Sequence, residues 1–127
     1  MPHAYDPANI FARILRGEIP NRTVLETPHT LAFHDIHPQA PVHVLVIPKG
    51  AYVDFADFAA HASEAEIADF HRAAAEVCTL LGVNPGAGGA GFRAIANAGE
   101  AGLQEVPHYH LHILGGRSLG RMLDPAI

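Results

Sequence analysis

Seven consecutive residues near the C-terminus, His108-Tyr109-His110-Leu111-His112-Ile113-Leu114, constrain this chain more than any other stretch. Alternation of this kind is the pattern of a β-strand, whose successive side chains point to opposite faces. His108, His110 and His112 then share one face, about 7 Å apart by strand geometry. Tyr109, Leu111 and Ile113 share the other, which reads as core. Imidazoles make poor core filler, because each buried ring nitrogen needs a hydrogen-bond partner. The row is therefore read as chemistry, and spacing alone leaves two chemistries open. Alternating strand histidines can ligate zinc, or they can act as nucleophile and hydrogen-bond donors. A zinc site also wants a further ligand and orienting carboxylates, and near the triad the sequence offers only Glu105.

Composition removes several other readings. The length of 127 residues predicts one domain over 1–127 with a short tail from about 115, and an apolar fraction of 49% is globular rather than disordered. Cys78 is the only cysteine, which excludes a disulfide framework and thiolate zinc sites. Eight basic against thirteen acidic residues, a formal charge of −5, disfavour a groove for duplex nucleic acid. No run approaches the roughly 18 apolar residues of a membrane span. The first residues, MPHAYDPANIFARIL, show none of the features of a secretion signal, so a cytoplasmic location is expected.

Along the chain, Asp6-Pro7 predicts a helix start with Asp6 as N-cap, an apolar stripe of Ile10, Phe11, Ile14 and Leu15, and a stop at Gly17. Thr23–Glu26 and Thr30–Asp35 read as short strands. Val42–Ile47 reads as an interior strand, with Val42, Val44 and Val46 on one face and His43, Leu45 and Ile47 on the other. Ser63-Glu64-Ala65-Glu66 is a capping box opening a long helix to about Leu81, with Ile67, Phe70, Ala74, Val77 and Leu81 on one face. Phe92–Asn97 and His108–Leu114 complete the strands. The expectation is an α+β domain, an antiparallel sheet with helices on one side. Gly86–Gly91 matches G-x-G-x-x-G, but it follows a helix and precedes a strand, the reverse of a dinucleotide-binding fingerprint, and reads as a loop. Cys78 is expected on the core side and His34 as a partly exposed sheet residue. His29, His37, His61 and His71 are read as bystanders.

The segment QEVPHYHLHILGG resembles the His-x-His-x-His-x-x signature of the histidine-triad family. Phe11–Pro20 (FARILRGEIP), Ala32–Pro41 (AFHDIHPQAP) and His43–Lys49 (HVLVIPK) are similar to that family's nucleoside phosphoramidase branch, and Leu114–Leu123 (LGGRSLGRML) resembles its bacterial members. The resemblance implies a five-stranded antiparallel sheet with one short N-terminal and one long central helix. It implies a hydrolase, without metal or cofactor, that cleaves the bond to the α-phosphate of purine nucleoside phosphoramidates or acyl-adenylates, with AMP or GMP conjugates as substrates. By position it makes His110 the nucleophile, His112 a phosphate or leaving-group contact, and His108 an orienting residue with His43 behind it. It makes Asp35 the ribose ligand and places Asn97 beside the phosphate. It assigns Ile10, Phe11, Ile14, Ile19, Phe33, Ile36 and Leu45 to the base pocket.

The resemblance also implies a homodimer, and Val77, Leu80 and Leu81 suggest a second apolar helix edge to serve it. Glu105 stands where animal members usually have Ser, Leu103 where Gly is usual, and Pro107 where an aromatic is usual. These departures concern the leaving-group side. The chemistry stands on its own terms, because neutral imidazole, with an ordinary pKa of about 6.5, is a usable nucleophile near pH 7. The resemblance lowers the metal reading. A dinucleoside polyphosphate hydrolase and a nucleotide-binding regulatory protein remain as alternatives, the second weakened by the intact His110.

Overall fold

The structure is a computed structural model that describes residues 3–126. Five strands, β1 (Thr23–Glu26), β2 (Thr30–His34), β3 (Val42–Pro48), β4 (Phe92–Ala96) and β5 (Leu111–Gly115), form one antiparallel sheet in the order β1-β2-β3-β5-β4. Helices α1 (Ile10–Leu15), α2 (Phe55–His61) and α3 (Glu64–Leu80) complete the fold. The central strand β3 sets the register for the site: Leu45 lies opposite Phe33 on β2 and His112 on β5.

Both faces of β3 are apolar, so both need cover. Val44 and Val46, with Ala32 and Ile113, pack against Phe58 of α2 and Phe70, Ala74, Val77 and Cys78 of α3. Leu31, Phe33, Leu45 and Ile47 pack against Phe11 and Ile14 of α1 on the opposite face. The expectation of helices on one side is thus corrected: α1 lies across the sheet from α3. With only six residues, α1 covers part of its face, and the uncovered part holds the site.

The helix boundaries have local causes. Asn9, not Asp6, caps α1, its Oδ1 accepting the Ala12 N–H at 2.9 Å. Asp6 instead opens the preceding turn by accepting the Ala8 N–H, a role that Asp-Pro fills equally well. Helix α2 escaped the sequence reading because, of its seven residues, only Phe58 is buried, too few for a periodicity. In α3 the capping box forms in both directions, with Ser63 Oγ accepting from Glu66 N–H and Glu66 Oε1 accepting from Ser63 N–H. Ser63→Ala should therefore cost about 1 kcal/mol, read as a lower urea midpoint, and an unmoved midpoint would deny the cap that role. Val77 is fully buried and Leu81 packs against the core. The supposed second apolar edge reduces to Leu80.

Strand β5 begins at Leu111 rather than at His108, yet the alternation persists ahead of it. Tyr109 stacks on Phe70 at 5.0 Å between ring centroids, on the α3 face, while His108 and His110 turn toward Phe11 on the α1 face. The Gly-rich segment after α3 is a 3₁₀ turn at Pro85–Ala87 and a loop leading into β4. Among the described residues no helix is long and apolar enough to cross a membrane.

Candidate active site

On the face that α1 only partly covers, the sheet and the connection between β4 and β5 enclose a cavity of about 700 Å³. That volume suits a small organic ligand. Ile10, Phe11, Ile14, Ile19, Phe33 and Leu45 make an apolar wall. Asp35, Ile36, Asn97, Glu105, His110 and His112 supply the remainder among the anticipated residues. His34, His37, Gln39 and Leu103 also line it. His34 is the partly exposed sheet residue expected, at the end of β2 and still paired with Val44, and its position there also brings it to the cavity.

His108 and His43 stand behind the cavity rather than in it, and the hydrogen bonds they make assign every proton. His110 Nδ1–H donates to the carbonyl of His108 at 2.7 Å. A carbonyl can only accept, so the proton is on Nδ1 and the Nε2 lone pair is free. His108 Nε2–H donates to the Pro48 carbonyl at 2.8 Å, leaving Nδ1 to accept from the Tyr5 hydroxyl at 2.6 Å. The backbone N–H of Gln39 donates to His43 Nδ1 at 3.0 Å, so His43 carries its proton on Nε2. That Nε2–H lies 3.0 Å from His112 Nδ1 and 3.4 Å from Asp35 Oδ2. Donation to His112 Nδ1 leaves His112 with its proton on Nε2. The pair thus offers one bare nitrogen, His110 Nε2, and one N–H donor, His112 Nε2–H, with their rings 5.0 Å apart edge to face.

Burial keeps all four rings neutral near pH 7. It pushes His108 down to about 4, and burial together with the neighbouring imidazoles of His110 and His43 pushes His112 to about 4. His110 and His43 are also lowered by burial, against the opposing pull of Asp35. A neutral His110 is the form that can attack an electrophile.

The same protons argue against metal ligation. The triad cannot act as a three-histidine site, because both ring nitrogens of His108 are already bonded. Asp35, His43 and His112 do bring one donor atom each within 4.8 Å of one another. Ligation through His43 Nε2 would drive its proton to Nδ1, directly against the Gln39 N–H. That opposition of two N–H groups makes the set a poor fit for a cation.

Two contributors escaped the sequence reading. Tyr5 lies 103 residues from His108, in a segment without periodicity. Gln39 acts through its backbone, for which a side-chain pattern carries no signal. Asp35 Oδ1 accepts the His37 N–H at 2.8 Å, which orients the carboxylate at the cavity wall.

Residues 16–119 match the family model described as the HIT domain. An uncharacterized HIT-like protein of Azospirillum brasilense is 59% identical over 123 residues, spanning 97% of this chain and 98% of that protein. The purine nucleoside phosphoramidase of Escherichia coli is 40% identical over 114 residues, spanning 90% of this chain and 92% of that enzyme. Among solved structures, a HIT family hydrolase from Clostridium thermocellum superimposes with a TM-score of 0.78 at 35% identity, covering 91% of this chain and 97% of that one. A histidine triad protein from Clostridium difficile gives 0.75 at 37% identity, with 88% and 93% covered. Sheet order, triad and matches over most of the length agree, and the chain belongs to the HIT, or histidine-triad, family.

Proposed function

We propose that this protein is a cytoplasmic, homodimeric hydrolase of purine nucleoside phosphoramidates and acyl-adenylates that works through a nucleotide held covalently on His110, without a metal. The observation that carries this reading is the bond from His110 Nδ1–H to the His108 carbonyl, which leaves Nε2 unprotonated beside the cavity. The base lies against the apolar wall under α1, and Asp35 accepts from the ribose hydroxyls. Nε2 attacks the α-phosphorus in line as the bond to the amine or carboxylate breaks. The resulting imidazolium is stabilised by the same carbonyl, and its nitrogen is a good leaving group when water attacks phosphorus in the second step. His112 Nε2–H offsets charge on the phosphoryl oxygens, the main demand of phosphoryl transfer. Over the cycle one water is consumed, its oxygen going to phosphorus and a proton to the departing amine, and nucleoside monophosphate and the free amine or carboxylate are released. The phosphoramidase relative supports the substrate class. For the dimer, β4 is an edge strand with one side unpaired, bearing the half-exposed Phe92.

The test is a substrate panel with EDTA present. Adenosine and guanosine phosphoramidates should be cleaved faster than diadenosine polyphosphates, with no loss to the chelator. Preference for the polyphosphates would change the substrate class, and loss of activity in EDTA would end the metal-free reading.

Nucleotide binding also tests Asp35. AMP at about a hundred times its Kd should stabilise the fold by roughly 2.7 kcal/mol. Asp35→Asn retains Oδ1 for the His37 N–H but loses the charge that holds two hydroxyls, so most of this gain should vanish in thermal melts. Equal gains in both proteins would take Asp35 out of the ribose role.

A further inference from the structure

Leu103 combines two unfavourable features at the mouth of the cavity. It is the one non-glycine residue with a positive φ among the described residues, at 55°, a left-handed conformation that crowds a branched side chain. It is also 79% exposed, a large apolar side chain with almost no cover from its own chain. The conformation is imposed by its neighbours. Leu103 N–H donates to the Glu100 carbonyl and Gln104 N–H to that of Gly99. The Gln104 side chain accepts from Gly99 N–H and donates to the carbonyls of Val53 and Val106. At Gly102 a Cβ would meet the Ala98 carbonyl at 2.7 Å, so the connection is folded tightly on itself. Such strain persists only where the surroundings over-determine it, and it concentrates at sites of function.

Position in the sheet says which part of a substrate Leu103 meets. The apolar wall belongs to α1, β2 and β3; His112 stands on β5 and Asn97 follows β4, in the order β2-β3-β5-β4. A nucleotide with its base on that wall and its α-phosphorus at His110 directs the group beyond phosphorus away from the wall. The β4–β5 connection packs on the wall through Val106, and further along it Leu103 and Glu105 line the cavity together with His110 and His112. We infer that Leu103 is a specificity-determining contact for the leaving group, favouring phosphoramidates and acyl-adenylates whose amine or acyl part carries an apolar side chain. The inference rests on the proposed function, and a binding readout separates the two.

Calorimetry compares the adenosine 5′-phosphoramidates of tryptamine and of ammonia, bound to His110→Ala and to His110→Ala/Leu103→Gly. The His110→Ala background keeps the conjugates intact, and Kd does not depend on turnover. Preference for the tryptamine conjugate should fall about tenfold with the Leu103→Gly change, the scale of a modest apolar contact. Leu103→Asn, which tolerates the same backbone but is polar, should lose the preference too. Glycine relieves the strain, so the Leu103→Gly variant should unfold at a higher urea concentration. An unchanged preference would overturn the inference. An equal loss of AMP affinity would also overturn it, by moving the contact to the nucleotide. So would an unchanged preference accompanied by a weakened dimer in sedimentation, which would assign Leu103 to a second copy of the chain. If wild type cleaves no phosphoramidate while the Kd preference still depends on Leu103, the proposed reaction fails and the contact stands.

Discussion

On the proposed mechanism, His110→Ala should lose turnover by about 10⁴-fold or more, because it removes the nitrogen proposed to bond to phosphorus rather than one that assists. His112→Ala removes a hydrogen-bond donor and should cost about 10²- to 10⁴-fold. The difference has a structural origin: His110 Nε2 is the bare nitrogen and His112 Nε2 the protonated one. A two-step reaction leaves nucleotide on nitrogen between the steps. Phosphorus–nitrogen bonds survive mild base and break in acid, so rapid quenching into base with a nucleotide-labelled substrate should yield protein carrying one nucleotide. Brief acid should release it. The label should map to the peptide containing His108–His112 and be absent from His110→Ala, with EDTA making no difference. Full activity in His110→Ala would end the nucleophile assignment and return a metal-bound water to consideration.

The second large effect is on stability. An exposed histidine in the unfolded chain titrates near 6.5, whereas burial holds His108 and His112 at about 4 in the fold. Between these values the unfolded state binds protons that the folded state refuses. Folding free energy is therefore intact above about pH 6.5 and declines as pH falls toward 4. For His108 alone the full loss is about 3 kcal/mol at 1.36 kcal/mol per pH unit, and His112, His110 and His43 add in the same direction. Asp57, Glu66 and Asp69, whose carboxyls are lowered by hydrogen bonds, lose their contributions at lower pH, below the ordinary carboxylate range. The window from pH 6.5 to 5 therefore isolates the histidines. Urea unfolding there should show a steady fall of several kcal/mol, and a flat profile would mean the rings are protonated in the fold. Turnover should follow a different course. Its acid limb should lie below pH 6.5, because His110 is lowered in place, with an apparent pKa shared by the coupled rings.

The legible part of this protein was whatever backbone periodicity writes into a chain. The alternation from His108 to Leu114 placed three imidazoles opposite Tyr109 and Ile113 even though the strand starts only at Leu111, because extended backbone alternates with or without a ladder partner. The Ser63–Glu66 box placed the start of α3, because both of its bonds are local. The two-faced apolar run of β3 already demanded cover on both sides, yet which helix supplied each cover was a matter of packing. Resemblance named the residues of the cavity, but not the state they are in. The proton positions are set by acceptors and donors from elsewhere: Pro48 is 60 residues from His108, Tyr5 is 103 residues away, and Gln39 contributes only a backbone N–H. The left-handed turn at Leu103 is likewise held by a Gln104 side chain anchored to Val53 across the fold. Sequence by itself determined which side chains share a face, since that follows from geometry repeated every two residues. Only the tertiary structure decided which nitrogen is free to react, since a tautomer is chosen by the partner that folding brings to it.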